Sequence, residues 1–111
     1  LHSLMIPLSS HGTRPWVFRG LIFIKCFEWD AGNVNHIARH NVKPDEVEEV
    51  FWDDPSYRKA RSRLMTALGR TYGGRYLFVV FALKPGGTAR VVTARDMSAS
   101  ERRFYRREKG E

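Results

Sequence analysis

The pattern of apolar and polar positions is organised around one stretch, Arg75 to Leu83, in which eight of nine residues are apolar or aromatic. A strand with one wet face alternates, and this one does not: Tyr76, Phe78, Val80 and Ala82 fall on one side, Leu77, Val79, Phe81 and Leu83 on the other. The pattern predicts a strand at the centre of its sheet with both faces covered. Gly73-Gly74 before it and Pro85-Gly86-Gly87 after it predict turns at both ends.

Upstream, Leu21 to Trp29 reads as one strand. Asp30 suits an N-cap, and Val34, Ile37, Ala38 and Asn41 share a helical face. Asn41 suits a left-handed C-terminal position with Val42 packing behind it. Pro44, Asp45 and Glu46 suit the first turn of a second helix, whose apolar face is Val47, Val50 and Phe51, and Asp53-Asp54-Pro55 stops it. Tyr57 to Ser62 and Leu64 to Thr71 read as weaker strands, and Ala89 to Arg95 as a strand returning from the central one by a hairpin. Ser98-Ala99-Ser100-Glu101 is a capping box, predicting a helix to about Glu108. The order β-α-α-β-β-β-β-α predicts an α+β domain, an antiparallel sheet with helices packed on it. Leu1 to Gly20 lacks periodicity and is expected to be a flexible tail or a remnant foreign to the domain, which then spans 21–111.

At 111 residues and 42% hydrophobic the chain suits one domain with a modest core. The single cysteine, Cys26, rules out an internal disulfide and a multi-cysteine zinc site, and a cytoplasmic location is expected. Net charge is +7, unevenly spread. Glu28 to Asp54 holds eight acids against Arg39 and Lys43; Arg58 to Lys109 holds fourteen Lys and Arg against Asp96, Glu101 and Glu108. The basic half is where a polyanion should dock, although basic residues also serve solubility.

In the last helix Arg102/Arg106 and Arg103/Arg107 stack like charges at i,i+4, a repulsion that phosphate or an acidic partner relieves; the alternative is a solvated face. His36 and His40 have metal-clamp spacing but no third ligand, so no metal or cofactor is expected. His40 fits a helix-end structural histidine and a proton-transfer group equally. Arg70 and Arg95 lie near strand ends, where an arginine needs an anion: Asp96, Glu28 or Asp30 on the structural reading, a phosphate oxyanion on the functional one. Trp29 and Tyr105 read as core more readily than as base-stacking platforms. Walker, dinucleotide, nucleophile-elbow and zincin motifs are absent.

Phe27-Glu28-Trp29-Asp30, Gly32-Asn33, Ile37 to Val42 and Pro44 to Phe51 resemble the N-terminal half of BrnT-type toxins. Ala67 to Thr71, Gly74 to Phe81, Val91 to Arg95 and Glu101 to Tyr105 resemble the rest in the same order. The resemblance covers about residues 26 to 108. It implies a RelE-like fold and a ribonuclease toxin of a type II toxin–antitoxin pair. It also implies a ribbon-helix-helix antitoxin as partner, with a homodimer or a toxin–antitoxin heterotetramer as the assembly. His40, Arg70 and Arg95 match functional-looking positions of the family. The chain departs from the family at Gly32-Asn33, where many members carry a lysine, and at Tyr57 to Arg61, where many carry a histidine and paired acids.

Without a metal, RNA is cut by its own ribose 2′-OH, so the protein must hold the phosphate, stabilise charge and move protons. Arg70 and Arg95 are the expected phosphate ligands, His40 the expected proton-transfer group, and Tyr105 a weaker one. Trp29, Arg58, Lys59, Arg61, Arg63, Arg102, Arg103, Arg106 and Arg107 are the expected nucleic-acid contacts. Two other classes stand beside this one: a non-catalytic nucleic-acid-binding module, and an interaction protein whose basic surface serves only an acidic partner.

Overall fold

The central strand is β7, Tyr76–Lys84, the third of five in the main sheet of a computed structural model. The structure describes the backbone of residues 4–7, 17–18 and 21–111, and side chains from Ile24 onward. In chain order the elements are β1 (Leu4–Pro7), β2 (Val17–Phe18), β3 (Leu21–Ile24), β4 (Cys26–Glu28), α1 (Ala31–Ala38), α2 (Pro44–Trp52), β5 (Ser56–Lys59), β6 (Leu64–Arg70), β7, β8 (Thr88–Asp96) and α3 (Ala99–Glu108). The main sheet runs β4-β8-β7-β6-β5, and β1-β3-β2 form a separate antiparallel sheet. The reading of residues 1–20 as a tail otherwise falls outside the described residues.

The expected α+β order holds from β4 onward, with two differences. The segment expected as one strand from Leu21 to Trp29 breaks at Lys25, whose N–H donates to the Gly87 carbonyl, so β3 and β4 join different sheets. The sheet is mixed rather than wholly antiparallel. The last four strands are antiparallel neighbours, as their hairpins require, but β4 pairs in parallel with β8. These two strands are joined through the whole domain, so no hairpin dictates their direction.

Local chemistry explains the helices. Asp30 accepts from the Asn33 N–H, and Asn33 accepts from the Asp30 N–H, a reciprocal cap on α1. Asn33 is buried because its amide also donates to the Glu28 and Val91 carbonyls, tying α1 to β4 and β8. Asn41 is left-handed (φ 58°), and Val42 and Asn41 return hydrogen bonds to the Ile37 and Ala38 carbonyls, a Schellman closure. In α3 the capping box forms as expected: Glu101 N–H to Ser98 Oγ, and Ser98 N–H to Glu101 Oε1.

Helices α1 and α2 cover one face of the sheet. Ile37, Val42, Val47, Val50 and Phe51 pack there on Leu77, Val79, Phe81, Val91 and Tyr57. Gly69 permits the close approach, since a Cβ there would meet Val50 Cγ1 at 2.8 Å. The other face departs from the expected full cover. Tyr76, Phe78, Val80 and Ala82 are only half-buried. Helix α3 covers one end of that face, through Tyr105 with Leu68, Met97, Tyr76, Phe78 and Phe104, and is too short to reach the other. Val80, Thr66 and Thr93 are adjacent in register and partly open.

Candidate active site and nucleic-acid interface

The end of the sheet beneath α3, where β6 finishes and β7 begins, gathers the most unusual chemistry. Register places Arg70 opposite Tyr76. The Arg70 guanidinium carbon lies 5.7 Å from the Tyr76 ring centroid, and that of Arg102, from α3, lies 4.4 Å from it. Two cations thus share one aromatic ring, each attracted by its π face. Arg70 has a loose ion pair with Glu111 at 3.7 Å, and Tyr76, then Tyr105 and Glu111, favour its charged form. No carboxylate forms an ion pair with Arg102 among the described residues. Its field instead lowers the Asp96 pKa, after the larger effect of Arg75.

Tyr105 is buried, with its ring edge-on to Tyr76 at 5.9 Å. Burial raises its pKa and the Arg70 charge partly offsets this, so at neutral pH it is a neutral hydroxyl. His40 is exposed in the turn after α1, and its carbonyl accepts from Arg75 Nη2 at 3.1 Å.

Arg75 is the residue the sequence reading missed. Its Nε donates to Asp96 Oδ1 at 2.7 Å, Nη2 to Asp96 Oδ2 at 3.2 Å, and Nη1 to the Asn41 carbonyl at 2.6 Å and to Glu46 at 3.2 Å. One guanidinium therefore closes the end of α1, holds the first turn of α2 and fixes the end of β8. The signal was an arginine directly after a Gly-Gly turn, next to the carbonyls a helix end leaves open.

Arg95 is differently placed. Both its terminal nitrogens bond Glu101, at 2.8 and 2.9 Å, Nη1 also donates to the Asp96 carbonyl, and its guanidinium stacks 4.2 Å from the Phe78 ring centroid. Its anion is thus Glu101, none of the three acids the sequence offered. Asp96 pairs with Arg75, while Glu28 and Asp30 pair with Arg90, and Glu28 also with Lys84.

The remaining expected contacts divide between places. Trp29 packs against the core on the helix-covered face and donates from Nε1 to Glu48 at 2.8 Å. Arg58 stacks 4.4 Å from the Phe104 centroid, 3.8 Å from Glu108. Lys59, Arg61 and Arg63 are exposed on the β5–β6 hairpin. On α3, Arg106 reaches Glu111 at 3.6 Å, while Arg103 and Arg107 are exposed. The rings of His36 and His40 lie 6.0 Å apart, and no set of three or more ligating side chains suited to a metal converges among the described residues. No described helix is long and apolar enough to cross a membrane.

The model of the family described as ribonuclease toxin, BrnT, of type II toxin–antitoxin system matches residues 29–101, well over half of the chain. The chain belongs to this family of ribonuclease toxins. RNA as substrate class and an antitoxin as partner follow from that membership. The matched stretch contains His40, Arg70, Arg75 and Arg95 and stops before Arg102 and Tyr105. A comparison with curated proteins finds no match.

Proposed function

We propose that the protein is a metal-independent endoribonuclease whose reacting phosphate sits between Arg70 and Arg102. The observation that carries this is the convergence of two guanidiniums on the Tyr76 ring, where a phosphate relieves their mutual repulsion. The ribose 2′-oxygen attacks phosphorus, the bond to the 5′-oxygen breaks, and the negative charge that builds on the phosphoryl oxygens falls to Arg70 and Arg102. His40 serves as the proton-transfer group, with a proton leaving the 2′-OH and one reaching the 5′-oxygen. The Tyr105 hydroxyl orients Arg70. Arg95, with its fork filled by Glu101, positions α3 and hence Arg102. Arg103, Arg106 and Arg107 extend the basic surface along α3.

The protein acts in the cytoplasm, and a ribbon-helix-helix antitoxin neutralises it, in a toxin–antitoxin heterotetramer or against a toxin homodimer. The decisive experiment treats labelled RNA with the purified protein, with and without EDTA, and maps the product ends. A 5′-hydroxyl opposite a cyclic phosphate or 3′-phosphate, unchanged by EDTA, is expected. Activity abolished by EDTA rejects the metal-independent route. RNA bound in a salt-dependent way but returned intact leaves the non-catalytic binding module.

A further inference from the structure

We propose that the β5–β6 hairpin tip is a second, remote anchor for the RNA backbone, built from Lys59, Arg61 and Arg63. The inference rests on the assignment of the reacting phosphate to the Arg70–Arg102 end of the sheet.

The tip is a two-residue turn closed by a hydrogen bond from the Leu64 N–H to the Arg61 carbonyl at 2.9 Å. Its central residues, Ser62 and Arg63, are both left-handed, at φ 55° and 66°. That conformation favours Asn-Gly or Gly-Gly, and an arginine held there is strained. Backbone strain of this kind clusters at functional positions, which points to a task for the side chain. Lys59, Arg61 and Arg63 are exposed, and no ion pair or hydrogen bond from their side chains to another described residue is present. The basic groups at the β4 end of the sheet differ, since Lys84 and Arg90 are matched by Glu28 and Asp30. The tip therefore presents three exposed cations with no ionic partner among the described residues.

Its position is informative. Strand β6 runs seven residues from the tip to Arg70, which at about 3.4 Å each places the two ends roughly 20 Å apart. Between them the sheet face is partly open at Thr66, Val80 and Thr93, with Arg58 at the margin opposite Thr66, and is covered by α3 over Leu68 and Phe78 next to Arg70. A single strand that passes over α3 and down onto that face meets Arg70 and Arg102 at one end and Arg61 and Arg63 at the other, while Lys59, opposite Met65 in register, extends the anchor around the edge of β5. Binding energy from the remote end then holds the reacting phosphate in place.

The test compares the wild type with Lys59→Gln/Arg61→Gln/Arg63→Gln and with Ser62→Asn/Arg63→Gly, using labelled single-stranded RNA long enough to cross the face and an oligonucleotide too short to do so. On the long RNA the triple variant should lose at least tenfold in affinity, and its log–log salt slope should become shallower by about 2, near 0.7 for each released contact. On the short oligonucleotide the affinity change should stay within twofold. The Asn-Gly variant should melt at a higher temperature than wild type and bind the long RNA more weakly, separating the turn's strain from its charge. Unchanged affinity and slope for the triple variant on long RNA overturn the proposal, as does a triple variant that loses only its hold on an acidic antitoxin segment. An equal loss on short and long RNA also overturns it, because it places the reacting phosphate at the tip. Cleavage is scored separately, so RNA that binds through the tip and stays intact supports the anchor and counts against the nuclease reading alone.

Discussion

Arg95 and Glu101 meet through two parallel hydrogen bonds, 2.8 and 2.9 Å long, that join the end of β8 to the first turn of α3. Glu101 also accepts from the Ser98 N–H, so one carboxylate completes the helix cap and fixes the arginine. The hydrogen bond from Arg95 holds the Glu101 carboxyl below the usual glutamate range, and Arg75 does the same for Asp96. A carboxylate whose pKa is lowered by folding stabilises the fold above its unfolded pKa and loses that contribution as pH falls through the folded value. Stability should therefore be flat near neutrality and decline from about pH 4.3 downward. Glu101→Gln should cost about 1–2 kcal/mol at pH 7 and make the acid decline shallower, as read by thermal unfolding between pH 7 and 3.

The two faces of β7 give a sharper test of the core. Val79 is fully buried and Val80 is half-buried. Val79→Asp should prevent folding, because an unpaired buried carboxylate costs several kcal/mol against a total of about 5–15. Val80→Asp should yield soluble protein, with a smaller loss in the denaturation midpoint. Equal damage from both would mean that a further layer covers the second face.

The same strand shows what was legible in the sequence. Its centrality, its ends, the caps at Asp30 and Ser98 and the left-handed Asn41 follow from local rules and are present. The half-open face is not visible in the residues, because apolar character on both sides does not say how far a ten-residue helix reaches. Site partners were harder still. Arg70 and Arg95 needed anions, but Glu101 follows Arg95 by six positions across a chain reversal, and Tyr76 lies across a hairpin from Arg70. Such pairings are set by register and packing, which charge and spacing do not encode.

Two substitutions in the α2 layer should act in opposite directions. At Gly69 a Cβ would sit 2.8 Å from Val50 Cγ1 and 3.3 Å from the Val50 carbonyl oxygen, so Gly69→Ala should force β6 from α2 and cost about 1–3 kcal/mol. Tyr57 is fully buried and its hydroxyl has no hydrogen-bond partner among the described residues. Tyr57→Phe removes an unpaired polar group at nearly constant shape, and should leave stability equal or raise it by about 1 kcal/mol. Urea midpoints decide both; a destabilised Tyr57→Phe would show that the hydroxyl has a partner.

Residues 1–20 lack the hydrophobic periodicity that marks the elements of the domain. Deleting residues 1–20 removes β1 and β2, the partners of β3, and leaves the five-stranded sheet intact. The melting temperature should then change by no more than a few degrees. A larger drop would show that the first strands are part of the folding unit.

Catalysis separates the arginines. Arg70 has only the loose Glu111 pair to compete with a phosphate, whereas both terminal nitrogens of Arg95 are bound to Glu101. Arg70→Ala and Arg102→Ala should each reduce the rate of RNA cleavage by about 10²–10³, the usual effect of losing one donor to a developing oxyanion, with little change in melting temperature. Arg95→Ala should instead lose stability along with activity, and part of its activity should return at lower temperature as α3 re-forms its packing. His40→Ala should cost about 10² in rate if the imidazole moves a proton. Because Arg75 bonds the His40 backbone carbonyl rather than the ring, the substitution leaves that contact in place and stability should hold. Single-turnover rates on labelled RNA, measured beside melting curves for all four variants, test the assignment. An Arg70→Ala protein that cuts at the wild-type rate would remove the phosphate from the Tyr76 cluster. A His40→Ala protein that keeps its rate but melts early would leave His40 a structural residue.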